Sequence, residues 1–214
     1  MKSLELSLFF SIFIQLISLL LNIFALYINK SKPFINQLLS LELFVQIIEG
    51  SFYIYWYNNF TDIKNITPFR YIDWTISTPS MLITLILFIS NSDSDVNLSL
   101  LQMIFNDFSL ISIVLILNWL MLLFGFLGET KRIPIHLSVF LGFIPFVIYF
   151  FIIYKDVVKV YNRGYGLFYY FLFFWSLYGV AAIFPYNIKN SAYNILDLFS
   201  KNFFIFYLFY QILV

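Results

Sequence analysis

Six ionisable side chains lie inside stretches that are otherwise almost wholly apolar: Glu42, Glu49, Arg70, Asp73, Asp197 and Lys201. Moving such a group from water to mid-bilayer costs at least about 2.5–3.5 kcal/mol, so each is expected to face a protein interior and to have a task there. Asp197 and Lys201 are four residues apart and share a helical face, one turn from each other. Arg70 and Asp73, three apart, share another. If the two helices adjoin, two carboxylates meet two cations, and a cluster that is neutral overall can be buried. Two chemistries fit. One is a structural ion-pair cluster in a transporter bundle. The other uses a buried lysine amine to form a Schiff base with an aldehyde. The charges alone leave both open.

Glu42 and Glu49 are seven apart, two turns, so they stack on one face about 10 Å apart along the axis. Ser11 and Gln15 near the start of the chain and Asn194 near its end could continue a polar track. A column of acidic side chains is what a cation path uses. The plainer reading is that either glutamate is protonated and hydrogen-bonds a neighbouring helix.

The elements that must position these groups follow from composition. The chain has 214 residues, 62% hydrophobic and 11% charged, with a mean hydropathy of +0.89. That is too little charge to cover a water-solvated surface, so lipid is expected to solvate most of the outside. Cysteine is absent, which excludes disulfides, thiolate metal sites and cysteine nucleophiles. A net charge of +1 gives no electrostatic case for nucleic acid, and the single histidine, His136, is too few for a His-rich metal site. No nucleophile–base pair, metal spacing or Gly-rich phosphate loop is present, so no enzyme is expected.

Seven segments are long and apolar enough to span a bilayer. They run about Leu4 to Ile28, Phe34 to Tyr57, Pro68 to Ile89, Ile104 to Leu127, Ile133 to Tyr154, Tyr165 to Phe184 and Ala192 to Leu213. Lys2 precedes an apolar stretch far longer than a signal-peptide core, without a small-residue cleavage site, so this stretch reads as the first span. The expected fold class is therefore an all-α membrane protein, a seven-transmembrane helix bundle forming one domain over residues 1–214. Connections are short. The loop Ser90 to Asn97 carries Asp93 and Asp95, and Gly128-Glu129-Thr130-Lys131-Arg132 forms a turn. Loop charge does not orient the bundle. Lys30, Lys32, Lys155, Lys159 and Arg163 on one side balance Lys2, Lys64, Lys131, Arg132 and Lys189 on the other.

Arg70-Tyr71-Ile72-Asp73-Trp74-Thr75-Ile76-Ser77-Thr78-Pro79 resembles the third-helix signature of microbial rhodopsins, R-Y-x-D-W-x-x-[ST]-T-P. Asp197-Leu198-Phe199-Ser200-Lys201 matches their last-helix D-x-x-x-K, and Trp175-Ser176-Leu177-Tyr178 their sixth-helix W-x-x-Y. Asn118, Met121 and Gly125 have spacings that fit the fourth-helix pocket. The resemblance covers essentially the whole chain. It implies all-trans retinal bound covalently to Lys201, with Asp73 as primary and Asp197 as second counterion. It implies a polyene pocket lined by Trp74, Thr78, Met81, Met121, Trp175 and Tyr178, with Ser200 beside the lysine. It also implies an extracellular N-terminus and a cytoplasmic C-terminus.

Departures from the pumping pattern bear on function. Eleven residues after Asp73, where pumping bacteriorhodopsins carry a proton-donating acid, stands Thr84. Pro185-Tyr186-Asn187-Ile188-Lys189-Asn190, read as the loop before the last span, holds no acid for proton release. Gly179 follows Tyr178 where the family usually has proline. Ser11, Glu42, Glu49 and Asn194 together resemble the channel-forming group of viral rhodopsins from large algal viruses. The expected function is a light-gated cation channel, its path formed by Ser11, Glu42, Glu49, Asn194, Ser77, Thr84 and Arg70. An outward proton pump with Glu42 as donor is the alternative, and a sensor acting through a separate transducer is a third reading. Lipid and the transported cations or protons are the expected partners, and bundles of this kind often form homo-oligomers. Asn59-Phe60-Thr61, Asn65-Ile66-Thr67 and Asn97-Leu98-Ser99 match glycosylation sequons. Asp107 reads as an interfacial helix cap and His136 as a headgroup-level residue.

Overall fold

A computed structural model describes residues 2–91 and 99–213. The predicted acids Asp93 and Asp95, the sequon at Asn97 and the terminal Val214 lie outside the described residues. Long helices form where apolar runs meet helix-starting residues. α1 spans Lys2–Ile28, and α2, Pro33–Asn58, begins with proline in its first turn, where the missing N–H costs nothing. α3 spans Thr67–Asn91 and carries Pro79 in its interior. A short α4, Leu100–Asn106, starts in a capping box between Ser99 and Gln102. α5 spans Phe108–Glu129. α6, Ile135–Ile153, runs through a π-helical turn, Tyr154–Val158, into α7, Lys159–Tyr161. α8 spans Tyr165–Ala182. α9, Tyr186–Asp197, passes through a second π-helical turn, Leu198–Asn202, into α10, Phe203–Leu213.

Among the described residues, six helical stretches are individually long and apolar enough to cross a membrane. The seventh is the α9–π–α10 unit, so the chain is a seven-helix bundle. Neighbour contacts close it into a ring: α1 on α2, α2 on α3, α3 on α5, α5 on α6, α6 on α8, α8 on α9, and the last unit back on α1. Large apolar side chains such as Phe13, Leu20, Ile116, Phe140 and Phe173 are about half exposed around the outside. The polar and charged residues Ser18, Asn22, Glu42, Glu49, Arg70 and Asp197 are instead fully enclosed. This inverts the pattern of a water-soluble domain and is what a lipid solvent selects.

The structure moves several predicted boundaries. The fourth span breaks at Asp107, which closes α4 through its backbone N–H and makes no side-chain cap bond, so its reading as a helix cap fails at the level of the side chain. Partial burial raises its carboxyl above the ordinary value. The fifth span continues to Tyr161, so Lys155 and Lys159 lie on helix and not in a loop. The sixth span ends at Ala182 rather than Phe184. The largest change is in the last span, which starts at Tyr186, six residues before the predicted Ala192, and turns most of the expected loop into helix. Between α7 and α8 the chain reverses through Asn162 (φ 50°) and Gly164 (φ 73°). A Cβ at Gly164 would lie 2.7 Å from Ile89, so this turn needs glycine both for its φ and for the close approach to α3.

Candidate functional site

Lys201 sits in the π-helical turn of the last helix and is 2% exposed. Its Nζ donates to Asp73 Oδ2 at 2.7 Å. Glu49 Oε1, from α2, is 3.6 Å from the same nitrogen. Asp197, one turn earlier, makes no hydrogen bond to Lys201. Its Oδ2 accepts from Tyr53 at 2.6 Å and from Arg70 Nη1 at 3.2 Å, and its Oδ1 accepts from Tyr178 at 2.7 Å. Tyr178 also hydrogen-bonds Ser200 at 2.7 Å. The predicted four-residue cluster is therefore assembled, and it contains a fifth ionisable member, Glu49.

Arg70 is fully buried. Nε donates to Asn190 Oδ1 at 3.0 Å, Nη1 to the Tyr53 hydroxyl at 3.3 Å, Nη2 to the Asn190 carbonyl at 3.4 Å, and Nη2 also to Asn194. Rings of Phe52, Tyr53, Trp56 and Tyr193 surround its guanidinium at 4.9–5.6 Å. An aromatic box of this kind holds a cation by its ring faces while keeping water out. Asn190, which also donates to Thr67 at 3.0 Å, owes its place to the early start of α9.

Beside the cluster is a cavity with about 830 Å³ of empty space, counting the part open to the exterior. Of the residues predicted for the pocket all but Asn118 line it: Trp74, Thr78 and Met81 from α3, Met121 and Gly125 from α5, Trp175 and Tyr178 from α8, and Ser200 with Lys201. Asn118 stands behind Thr78, donating to its hydroxyl at 2.8 Å. Sequence reading missed Tyr193, which stacks on Tyr178 at 5.6 Å and meets Trp74 edge-on at 5.1 Å. It also missed Tyr71 and the α6 wall at Gly142 and Phe146. In a chain with 16 tyrosines and 29 phenylalanines no single ring was distinctive. A mostly apolar cavity with aromatic walls and a primary amine in its lining fits a conjugated aldehyde such as retinal.

The predicted polar track is partly joined. Ser11 donates to the Asn194 carbonyl at 3.1 Å, and Asn194 donates to Ser7 at 2.9 Å. Ser18, Asn22, Gln46 and Asn202, none of them predicted, form a buried network between α1, α2 and the last helix. Gln46 Nε2 donates to Ser18 at 3.0 Å, Asn22 donates to Gln46 at 3.1 Å, and Ser18 donates to Asn202. Glu42 and Glu49 are both fully buried, and among the described residues no oxygen of either has a hydrogen-bond partner. Thr84 is close enough to Glu42 to influence its carboxyl, and the hydroxyl of Thr84 donates to the Ser80 carbonyl at 3.0 Å. Ser77, beside Asp73, is likewise buried without a partner, as is Gln15 Nε2. Buried polar atoms left without partners mark places where water or an ion can bind. A second feature missed from sequence is the ion pair between Glu129 and Lys189, at 2.6 and 2.8 Å, which ties the end of α5 to the start of α9.

A family profile described as bacteriorhodopsin-like protein matches residues 3–213. Among solved structures, the viral rhodopsin OLPVRII is 27% identical, with 99% of each chain covered and a TM-score of 0.84. A blue light-absorbing proteorhodopsin from Med12 is 19% identical, covering 98% of this chain and 96% of that one, with a TM-score of 0.78. Xanthorhodopsin, described as a light-driven ion pump with dual chromophore, is also 19% identical, covering 98% and 91%, with a TM-score of 0.76. No curated protein sequence matches the chain.

Proposed function

The chain belongs to the bacteriorhodopsin-like family, and from that premise we propose that it is a retinal-binding, light-gated cation channel of a multi-pass membrane. Its N-terminus is on the extracellular side and its C-terminus on the cytoplasmic side. Retinal, bound covalently to Lys201, supplies light absorption and a bond isomerisation. The remaining work falls to the chain. The cavity walls, Trp74 and Trp175 among them, confine the chromophore and exclude water. Asp73 Oδ2, 2.7 Å from Lys201 Nζ, is placed to take the proton that this nitrogen releases. Asp197 is held by Tyr53, Tyr178 and Arg70 and keeps a fixed negative charge nearby.

The observation that carries the channel reading is the buried polar column between α1, α2 and the last helix. Ser11 and Asn194, with the half-buried Ser7, lie toward one end, Ser18, Gln46, Asn202 and Asn22 toward the other, and Glu49 and Glu42, which accept no hydrogen bond from the described residues, lie along α2. Hydration of this column gives a cation a path past oxygen ligands. The test is photocurrent against voltage in a membrane with a set cation gradient. The current should reverse sign near the cation equilibrium potential, and a current that stays outward at every voltage would refute the channel.

One observation favours the second reading, an outward proton pump. Glu42 is enclosed next to Thr84, where a proton donor to Lys201 would be useful. The Glu42→Gln variant separates the two. Slowed reprotonation of the Lys201 nitrogen with unchanged current direction supports the pump, whereas altered conductance or ion selectivity supports the channel.

A further inference from the structure

The Lys201 amine has acids on two different helices within salt-bridge distance, Asp73 on α3 and Glu49 on α2. The enclosed cluster holds two cations, Lys201 and Arg70, and three carboxylates, Asp73, Asp197 and Glu49, each 3% exposed or less. With every group ionised it would carry one surplus negative charge without a counter-charge, which a low-dielectric interior strongly disfavours. One bound proton removes the surplus.

The hydrogen bonds indicate where that proton resides. Asp197 accepts from Tyr53, Tyr178 and Arg70, and all three bonds favour its anion. Asp73 accepts directly from Lys201. Glu49 accepts no hydrogen bond from any described residue, and its nearest contact is the Lys201 amine at 3.6 Å. The titratable groups facing it are Lys201, Asp197 and Asp73, with Tyr53 one turn along its own helix. α1, which packs against α2, has no titratable side chain between Glu5 and Tyr27.

We propose that Glu49 is a reserve acid partner of Lys201, holding a proton while Asp73 is anionic and becoming the anion that faces the amine when Asp73 is neutralised. Where residue 73 is neutral while Lys201 stays cationic, as in Asp73→Asn or when Asp73 takes a proton from solvent, the Glu49 O–H bond breaks, its proton leaves to solvent, and the cluster stays neutral. Glu49 is then a positioning residue for charge at Lys201, a role separate from any part it plays in the cation column. The retinal half of the test rests on the photoactive reading above, whereas the infrared half does not.

In the retinal-free protein, the infrared carbonyl stretch of a protonated carboxylic acid should be present in wild type. In a Glu42→Gln background, which removes the other enclosed acid without a hydrogen-bond partner, it should be lost on Glu49→Gln and lost also on Asp73→Asn, where Glu49 must ionise. In protein loaded with all-trans retinal, Glu49→Gln should stay coloured. The pH at which visible colour bleaches should fall by about 1–3 units from Asp73→Asn to the double variant Asp73→Asn/Glu49→Gln, the effect of removing one charge at this range. Asp73→Asn/Glu49→Asp should recover part of that shift. Equal bleaching midpoints for Asp73→Asn and the double variant would overturn the proposal, as would an infrared band that survives Glu49→Gln in the Glu42→Gln background. Wild-type protein that stays colourless with retinal would refute the photoactive reading and leave the infrared comparison to decide on Glu49.

Discussion

Replacing Lys189 with methionine strands Glu129 at the end of α5. The pair is bidentate, at 2.6 and 2.8 Å, and its side chains are 11% and 4% exposed. Breaking a fully buried pair by removing one partner costs about 3–5 kcal/mol. Here Lys64, Lys131 and Arg132 line an open basin beside the pair, so water and other cations reach it. The expected loss is therefore nearer to about 2–3 kcal/mol for Lys189→Met. Part of that penalty is the isolated Glu129 charge, so Lys189→Met/Glu129→Gln should recover some of it, with a coupling energy of about 1.5–2.5 kcal/mol. The assay is unfolding of micelle-solubilised protein with rising mole fraction of a denaturing detergent, followed by far-ultraviolet circular dichroism for all four members of the cycle. A coupling below about 0.5 kcal/mol, the value of an exposed surface pair, would show that this bridge does not fasten the last helix.

Two other substitutions check the cavity. Lys201→Ala should abolish visible absorbance with all-trans retinal while leaving the circular dichroism spectrum helical, and a coloured Lys201→Ala protein would remove the basis for covalent binding. Gly125→Ala places a Cβ 2.6 Å from the hydroxyl of the pocket residue Tyr71, which must shift, whereas Gly142→Ala meets nothing closer than 3.5 Å. Pigment formation should slow about tenfold or more for Gly125→Ala and change little for Gly142→Ala, and equal rates would mean that the Tyr71 contact does not shape the pocket.

The charged core was legible in the sequence because lipid makes charge rare. Asp73, Asp197, Arg70 and Lys201 stand out against apolar flanks, and helical spacing places each pair on one face. The same contrast hid the start of the last helix. Tyr186 to Ser191 contains Asn187, Lys189, Asn190 and Ser191, which read as loop, yet these residues form the first turns of α9. Asn190 there holds Arg70, and Lys189 holds Glu129. Neither contact can be read locally, since each joins residues about 60 or more positions apart. Glu49 was marked for an ion path, but its approach to Lys201 depends on the ring order of the helices, which no single segment encodes. The Ser18, Asn22, Gln46 and Asn202 network was overlooked because a neutral amide in an apolar helix carries a weaker signal than a charge.

The wide turn at Leu198–Asn202 has a geometric consequence for how this last helix is assembled. One additional residue in a turn rotates everything beyond it by about 100° relative to an unbroken α-helix. Asn190 and Asn194 before the turn are thereby phased toward Arg70, while Phe204 and Leu208 after it are phased toward the interior on their own account. The amine of Lys201 stands at the seam between two independently set surfaces.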